Sequence, residues 1–177
     1  RPRALERFHA TNAERRQAWP RAMIATSTHD TKRDEDVRAR ISVLSELPER
    51  WRDALERWRE MNRPHVTTVD EVEAPDANAQ YLLYQTLVGA WPPGLGAEGP
   101  RGDLVERVQE YMRKAAREAK LHTSWVSPNE AYEQALQQFV ASVLEPTPDN
   151  EFPADLLRFL GVVLRPGLLN AVAQVVL

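Results

Sequence analysis

Apolar residues recur along this chain mostly at helical spacing. Trp51, Leu55 and Trp58 follow Pro48 one turn apart, with charged residues on the other face, which predicts an amphipathic helix whose tryptophans lie in the core. Residues 77–91 are apolar on nearly every side and predict a central helix. The same periodicity predicts further helices over residues 3–18, 31–45, 103–120, 154–164 and 168–177. The pattern therefore indicates a mainly α fold class.

Capping and helix-breaking residues predict where these helices begin and end. Thr31 is expected to cap the helix that follows it. Residues 127–130, Ser-Pro-Asn-Glu, form a capping box with proline at the first helical position, which predicts a helix start. Residues 165–167, Arg-Pro-Gly, are expected to separate the last two helices. Irregular connections are predicted over residues 63–75 and over the glycine-rich residues 94–102.

One short segment departs from the helical pattern. Residues 22–26 are mostly apolar without a helical period and are bounded by Pro20 and by polar residues 27–30, which predicts one buried strand. A strand without neighbours cannot satisfy its backbone N–H and C=O groups. We therefore expect its partner strands to lie outside this sequence.

Composition narrows the class of protein without naming a partner. The chain has 177 residues, of which 42% are apolar, and a formal net charge of -3 with both signs interspersed, so no strong field draws it to polyanions or membranes. Cysteine is absent, which excludes disulfides and thiolate metal sites and is compatible with the cytoplasmic location that we predict. No run is apolar for long enough to span a bilayer, so we predict no membrane partner.

Both termini of the chain are unusual. Residues 1–3, Arg-Pro-Arg, contain no initiator methionine and begin no signal peptide, and the apolar residues 168–177 end without a polar cap or glycine. We expect the chain to be a segment of a longer protein.

The residues with the clearest chemical character lie directly after the predicted strand. Residues 27–33 read Ser-Thr-His-Asp-Thr-Lys-Arg, and barrel enzymes place catalytic side chains at the C-terminal ends of their strands. His29 and Asp30 are therefore candidate site residues. Taken alone, such a pair is more often a turn and helix cap than a catalytic pair.

Three strings of the sequence are distinctive when they are taken together. The first is residues 27–33 followed by Glu-Asp-Val-Arg-Ala-Arg at 35–40. The second is Arg-Glu-Ala-Lys-Leu-His-Thr-Ser-Trp at 117–125 with Pro-Asn-Glu-Ala-Tyr-Glu at 128–133, and the third is Tyr-Leu-Leu-Tyr-Gln-Thr-Leu-Val-Gly-Ala-Trp-Pro at 81–92. These strings together resemble the maltooligosyltrehalose synthase family, in the alpha-amylase-type glycoside hydrolase clan. Because they span most of the chain, the resemblance is far more specific than a His-Asp pair.

The resemblance implies a division of the chain between a barrel and an insertion. Residues 1–47, with a helix, the strand at 22–26, the His-Asp turn and a second helix, would derive from an incomplete (β/α)8 barrel. Residues 48–164 would form a helical insertion domain. Residues 165–177 would be a truncated helix that returns to the barrel.

The resemblance also implies an activity and two site residues. The family converts the reducing-end alpha-1,4 linkage of a maltooligosaccharide to alpha,alpha-1,1, an intramolecular transglycosylation with retention. It implies that Asp30 is the third active-site carboxylate, a transition-state stabiliser, and that His29 binds the same sugar. The nucleophilic Asp and the acid Glu would lie outside this sequence, so we predict an inactive fragment whose partners are a maltooligosaccharide and the rest of its own barrel.

Retaining the released glucose requires a polar cradle that excludes water. Lys and Arg donate hydrogen bonds to hydroxyls, and Trp125 can stack on a sugar face. The substrate-binding candidates are Lys32, Arg33, Lys120, His122, Ser124 and Trp125. Asp34 stands where much of the family has Ser, in the first turn of a predicted helix, and leaves this mechanism unaffected.

Two other classes of function compete with the enzyme. The N-terminal segment is rich in arginine, which would suit a helical module that binds nucleic acid or an acidic protein, but Glu6 and Glu14 interrupt the run and no nucleic-acid motif follows. A purely structural helical module is the other alternative. The histidines lack ligand spacing, so we predict no metal. We also predict no cofactor, and, because no nucleic-acid motif is present, no nucleic-acid partner.

Overall fold

The structure is a computed structural model that describes residues 5–23, 25–92, 94, 96 and 102–176. The chain divides into two compact units, Arg1–Lys32 and Arg33–Leu177. The first contains α1 (Leu5–Ala18), and the second contains α2 (Glu35–Val43), α3 (Pro48–Asn62), α4 (Ala77–Ala90), α5 (Gly102–Ala119), α6 (Glu130–Leu144) and α7 (Phe152–Val176). The mainly α fold class is confirmed. The predicted boundaries at 47/48 and 164/165 do not coincide with this division, and assignment of those segments to a barrel and an insertion stays a prediction.

The first unit has little interior among its described residues. No side chain of α1 is buried, and the helix ends at Ala18, before Trp19 and Pro20 as predicted. The strand predicted over 22–26 is absent: residues 22, 23, 25 and 26 are irregular, and Met23 is 98% exposed, while Ile24 lies outside the described residues. A strand needs a neighbour to take up its backbone hydrogen bonds, and the described part of this unit supplies no such neighbour.

The start of α2 differs from the predicted cap at Thr31. Asp34 is the N-cap, with extended backbone and a side-chain Oδ1 that accepts the Val37 N–H at 2.9 Å. Thr31 instead ends a short 3-10 turn, His29–Thr31. An acceptor three residues before its donor satisfies an orphan N–H of the first helical turn, and Asp34 meets that condition.

The core of the second unit is built around Trp58, which is completely buried. Its ring centroid lies 5.7 Å from that of Trp51, 5.6 Å from Tyr84, 5.7 Å from Phe152 and 5.4 Å from Phe159. These residues come from α3, α4 and α7, so the aromatic contacts join three helices. The predicted core positions of Trp51 and Trp58 are confirmed.

The predicted connection over 63–75 contains a small hairpin. Strands β1 (Thr67–Val69) and β2 (Val72–Ala74) pair antiparallel. The two turn residues, Asp70 and Glu71, have φ angles of 51° and 66°, which suits a two-residue hairpin turn. The sequence did not predict this turn, because neither residue is glycine, which is common in two-residue hairpin turns. Most of the glycine-rich connection at 94–102 lies outside the described residues.

The predicted break at 165–167 does not occur, and α7 runs through Pro166. Pro166 is exposed, whereas Gly167 is buried where α7 packs on α2: a Cβ at Gly167 would lie 3.1 Å from the Arg40 Cα. Continued packing explains why one lost backbone hydrogen bond does not end the helix. Because α7 is continuous, its length and composition would allow it to cross a membrane, although its first half is a core helix here. The absence of a membrane partner stays a prediction.

Candidate functional site

The His-Asp pair of the first unit lies on an exposed 3-10 turn. Thr31 donates from its backbone N–H and its Oγ1 to the Thr28 carbonyl, at 3.1 and 2.6 Å. Lys32 has a φ of 59°, and its N–H donates to the His29 carbonyl at 3.3 Å. His29, Asp30 and Lys32 are all exposed. The turn presents a carboxylate and an imidazole on a backbone held by its own hydrogen bonds, and their roles stay predictions.

Arg33, at the start of the second unit, contacts α4. Its Nη1 donates to Gln85 Oε1 at 2.7 Å, and its Nη2 donates to Thr86 Oγ1 at 3.2 Å. These contacts join the segment before α2 to the central helix. The structure thus gives Arg33 a packing role that sequence reasoning did not foresee, and its substrate-binding role stays a prediction.

The remaining four candidates lie together on residues 120–129, between α5 and α6. We call this segment the 120s loop. Lys120 has a φ of 58° and ends α5, with its N–H donating to the Ala116 carbonyl at 3.2 Å. Ser124 and Ser127 close a turn, because the Ser127 N–H donates to Ser124 Oγ at 3.0 Å. The loop therefore has a defined backbone.

His122 is oriented by two contacts from different elements. Its Nε2 lies 3.0 Å from Asp76 Oδ2, and its ring stacks on Tyr132 with centroids 4.7 Å apart. Asp76 also caps α4 through Oδ1, which accepts the Ala79 N–H at 2.7 Å. Burial, with the nearby charge of Asp76, raises the pKa of the Tyr132 phenol. His122 borders a largely apolar cavity of about 50 Å³, which suits a few water molecules rather than a sugar.

A largely buried ion pair, with a threonine hydroxyl bonded to it, holds the 120s loop in place. Glu133 of α6 accepts two hydrogen bonds from Arg117 of α5, at 2.7 and 2.6 Å. Thr123 donates its Oγ1 proton to Glu133 Oε1 at 2.6 Å and accepts the Asn129 N–H at 3.0 Å. The hydrogen bond from Arg117 holds the pKa of Glu133 below its usual range, and Glu133 raises the pKa of Arg117.

Helix α6 begins later in the chain than the predicted cap at Ser127 would place it. Asn129 is the N-cap, with its Oδ1 accepting the Tyr132 N–H at 3.1 Å, and the helix begins at Glu130. The Ser127 N–H is already bonded within the turn to Ser124. The capping box fails here because local turn bonds compete with the helix for the same backbone groups.

Trp125 is held on one side by a cation. The guanidinium carbon of Arg117 lies 4.9 Å from the centroid of the Trp125 ring, and Trp125 as a residue is 52% exposed. This geometry is a cation–π contact. One face of the indole is therefore covered, and much of the remaining ring is available to a ligand.

Sequence reasoning missed the residues that hold this loop, namely Asp76, Arg117, Thr123 and Glu133. Arg117 and Glu133 are 16 residues apart in the chain, so they cannot meet within a single helix or strand. The one available signal was their opposite charge on two helices that could pack as neighbours. Among the described residues, no group of three His, Asp or Glu side chains could hold a metal ion.

Comparison with known proteins identifies relatives over most of the chain. No family model matches it. Two curated relatives from two strains of Mycobacterium tuberculosis, each named as a candidate maltooligosyl trehalose synthase, are 41% identical over 139 residues. That match covers 78% of this chain and 16% of each relative. The chain thus spans a small part of the relatives' length.

Solved structures give the same result at the level of the fold. A maltooligosyl trehalose synthase structure matches 96% of this chain and 21% of its own, with a TM-score of 0.75 and 34% identity. A protein of Sulfolobus tokodaii, described as a hypothetical maltooligosyl trehalose synthase, matches 92% with a TM-score of 0.72 and 33% identity. The maltooligosyltrehalose synthase of Arthrobacter ramosus matches 94% with a TM-score of 0.73 and 32% identity.

Over most of its length, this chain is similar in sequence and in its mainly helical fold to one segment of the larger maltooligosyl trehalose synthases.

Proposed function

We propose that the full-length protein carrying this chain is an intramolecular transglucosylase of trehalose biosynthesis. It converts the reducing-end alpha-1,4 linkage of a maltooligosaccharide to alpha,alpha-1,1. The observation that carries the proposal is the match over 139 residues to relatives named for this activity. The substrate class comes from those names.

Asp30 serves as the transition-state carboxylate in this proposal, and His29 binds the same sugar. In a retaining reaction, one carboxylate attacks the anomeric carbon and a second acts as acid and then as base, through an oxocarbenium-like transition state. A third carboxylate favours that positive state electrostatically. The exposure of Asp30 on a turn closed by backbone hydrogen bonds supports the role, since the side chain is presented outward.

The 120s loop contributes separately to substrate binding. Lys120 and Ser124 offer donors to sugar hydroxyls, His122 is held in one orientation by Asp76, and Trp125 offers a half-exposed ring. Lys32 and Arg33 complete the proposed set of binding residues. Because the nucleophile and the general acid are expected outside this sequence, the 177-residue chain alone is inactive.

The direct test is Asp30→Asn in the full-length protein, followed by loss of reducing ends from maltopentaose. The substitution keeps the size of the side chain and removes its charge, so rearrangement should fall by at least about a thousandfold. Asp34→Asn is the matched control, because Asn is an equally good N-cap and activity should be unchanged.

Full activity of a folded Asp30→Asn protein would contradict the proposal. The alternative of a helical binding or structural module would then gain support. Salt-sensitive binding of the chain to DNA or RNA would favour a binding module with a basic N-terminal helix.

A further inference from the structure

An ion pair between α5 and α6 anchors the 120s loop. The Arg117–Glu133 pair is nearly buried, with the side chains 17% and 8% exposed. Burying two charges is costly, and their attraction offsets the cost only when the geometry is good and the remaining hydrogen-bonding groups are satisfied. Here two parallel hydrogen bonds join the fork of Arg117 to both oxygens of Glu133, the strongest arrangement for such a pair.

The pair does more than join α5 to α6. Thr123 adds a third hydrogen bond to Glu133, so the carboxylate also holds the loop backbone two residues before Trp125. The guanidinium of Arg117 lies over the Trp125 ring at 4.9 Å from its centroid. The indole is therefore connected, through one cation, to a carboxylate fixed inside the unit.

The surroundings of Trp125 are those of an exposed ring that the fold does not bury. Leu121 and Val126, which belong to the same loop, are 69% and 97% exposed. A Trp that served the core would lie inside, as Trp58 does. A tryptophan anchored on one face and open elsewhere is the arrangement of a stacking platform, since the apolar C–H face of a sugar packs on an aromatic ring.

We infer that Arg117, fixed by Glu133, is a positioning residue that orients Trp125 as a sugar-stacking platform and thereby decides how much released glucose is retained. The inference rests on the proposed function. In rearrangement, the anomeric hydroxyl of the released glucose attacks the enzyme-bound glycosyl carbon and gives its proton to the catalytic base, while the bond to the nucleophilic carboxylate breaks. In hydrolysis, water takes that place and free glucose leaves.

The experiment measures the ratio of free glucose to rearranged product from maltopentaose in the full-length protein. Trp125→Ala and Arg117→Ala should each raise that ratio about fivefold, as expected for loss of one aromatic contact. The double variant should show the effect of one substitution rather than their product, because both act through the same ring. Trp125→Phe should restore most of the retention.

A merely structural role predicts a different result. Destabilisation lowers both reactions by the same factor and leaves the product ratio unchanged. Arg107→Ala, an exposed arginine on the same helix, is the control and should keep the ratio of the unmodified protein. Arg117→Lys keeps the charge but loses the planar fork, so an intermediate ratio is expected, and this milder variant serves if Arg117→Ala fails to fold.

Each part of the proposal is contradicted by a different experimental result. An unchanged ratio for a folded Arg117→Ala protein, with a raised ratio for Trp125→Ala, would overturn the positioning role. An unchanged ratio for Trp125→Ala would overturn the platform. A fully active Asp30→Asn protein would instead contradict the proposed function, whichever ratio the loop variants gave.

Discussion

The two units hold their chemistry-bearing residues by different means. In the first, Asp30 lies on an exposed turn that is closed by hydrogen bonds between neighbours in the chain. In the second, Trp125 is held through Arg117 by the carboxylate of Glu133, on another helix. A local turn can be formed by a few residues alone, whereas a buried ion pair forms only when two helices pack. The comparison therefore predicts where the chain tolerates change.

The largest difference in the free energy of unfolding is expected between substitutions at two tryptophans, one from each unit. Trp58 is completely buried among aromatic side chains, and Trp19 of the first unit is 72% exposed. Trp58→Ala should lower the free energy of unfolding by about 3–5 kcal/mol because it leaves a cavity, and Trp19→Ala should change it by less than about 0.5 kcal/mol. Urea denaturation followed by circular dichroism measures both. Equal losses would remove the distinction between the units.

A smaller loss is expected at the buried carboxylate of Asp155. It accepts hydrogen bonds from Arg57 at 3.0 Å, Trp58 at 2.7 Å and Arg158 at 2.6 Å. Asp155→Asn should cost about 2 kcal/mol at neutral pH, because charged hydrogen bonds become weaker ones. Asp53, whose side chain is 61% exposed, gives the control: Asp53→Asn should leave the unfolding midpoint in place.

The same carboxylate makes the second unit sensitive to acid. Burial alone would raise the pKa of Asp155, but hydrogen bonds from Arg158, Trp58 and Arg57 outweigh burial and hold that pKa below its usual range. Its charge therefore stabilises the fold above the unfolded-state pKa of about 3.9, and this contribution is lost as pH falls through the lower folded-state pKa. Denaturation at several pH values should show a shallower acid dependence in Asp155→Asn. An unchanged slope would mean that this carboxyl is not perturbed.

The smallest expected effects concern two glycines of α7. A Cβ at Gly161 would meet nothing within 4 Å, so Gly161→Ala should raise the free energy of unfolding by about 1 kcal/mol through helix propensity. A Cβ at Gly167 would lie 2.8 Å from the Cγ and 3.1 Å from the Cα of Arg40. Gly167→Ala should therefore lower stability by about 1 kcal/mol as α7 and α2 separate. Thermal unfolding compares them, and a gain at both positions would show that the helices can shift freely.

The sequence predicted the helices better than their boundaries. Helices α3, α4 and α5 begin and end within a residue or two of their predicted limits, because each has a continuous apolar pattern. The caps at Thr31 and Ser127 were wrong, since a local turn already uses the backbone at both places. The strand at 22–26 failed for a different reason, because a strand depends on a neighbour.

The candidate site shows the same division. The strings around Asp30 and Trp125 resemble the maltooligosyltrehalose synthase family, and the relatives confirm that resemblance. The catalytic and binding roles stay predictions. Arg117 and Glu133 belong to those strings, but nothing in the sequence indicated that their side chains form an ion pair.

What the sequence determined by itself was the helical class, the aromatic core stripe and the resemblance to a known family. These depend on the order and spacing of residue types, which a chain carries before it folds. Only the tertiary structure decided that α7 continues through Pro166, that Asp76 holds His122 and that Glu133 anchors Trp125 through Arg117. Each of these depends on contacts between residues distant in the chain, and such contacts exist only after the helices have packed.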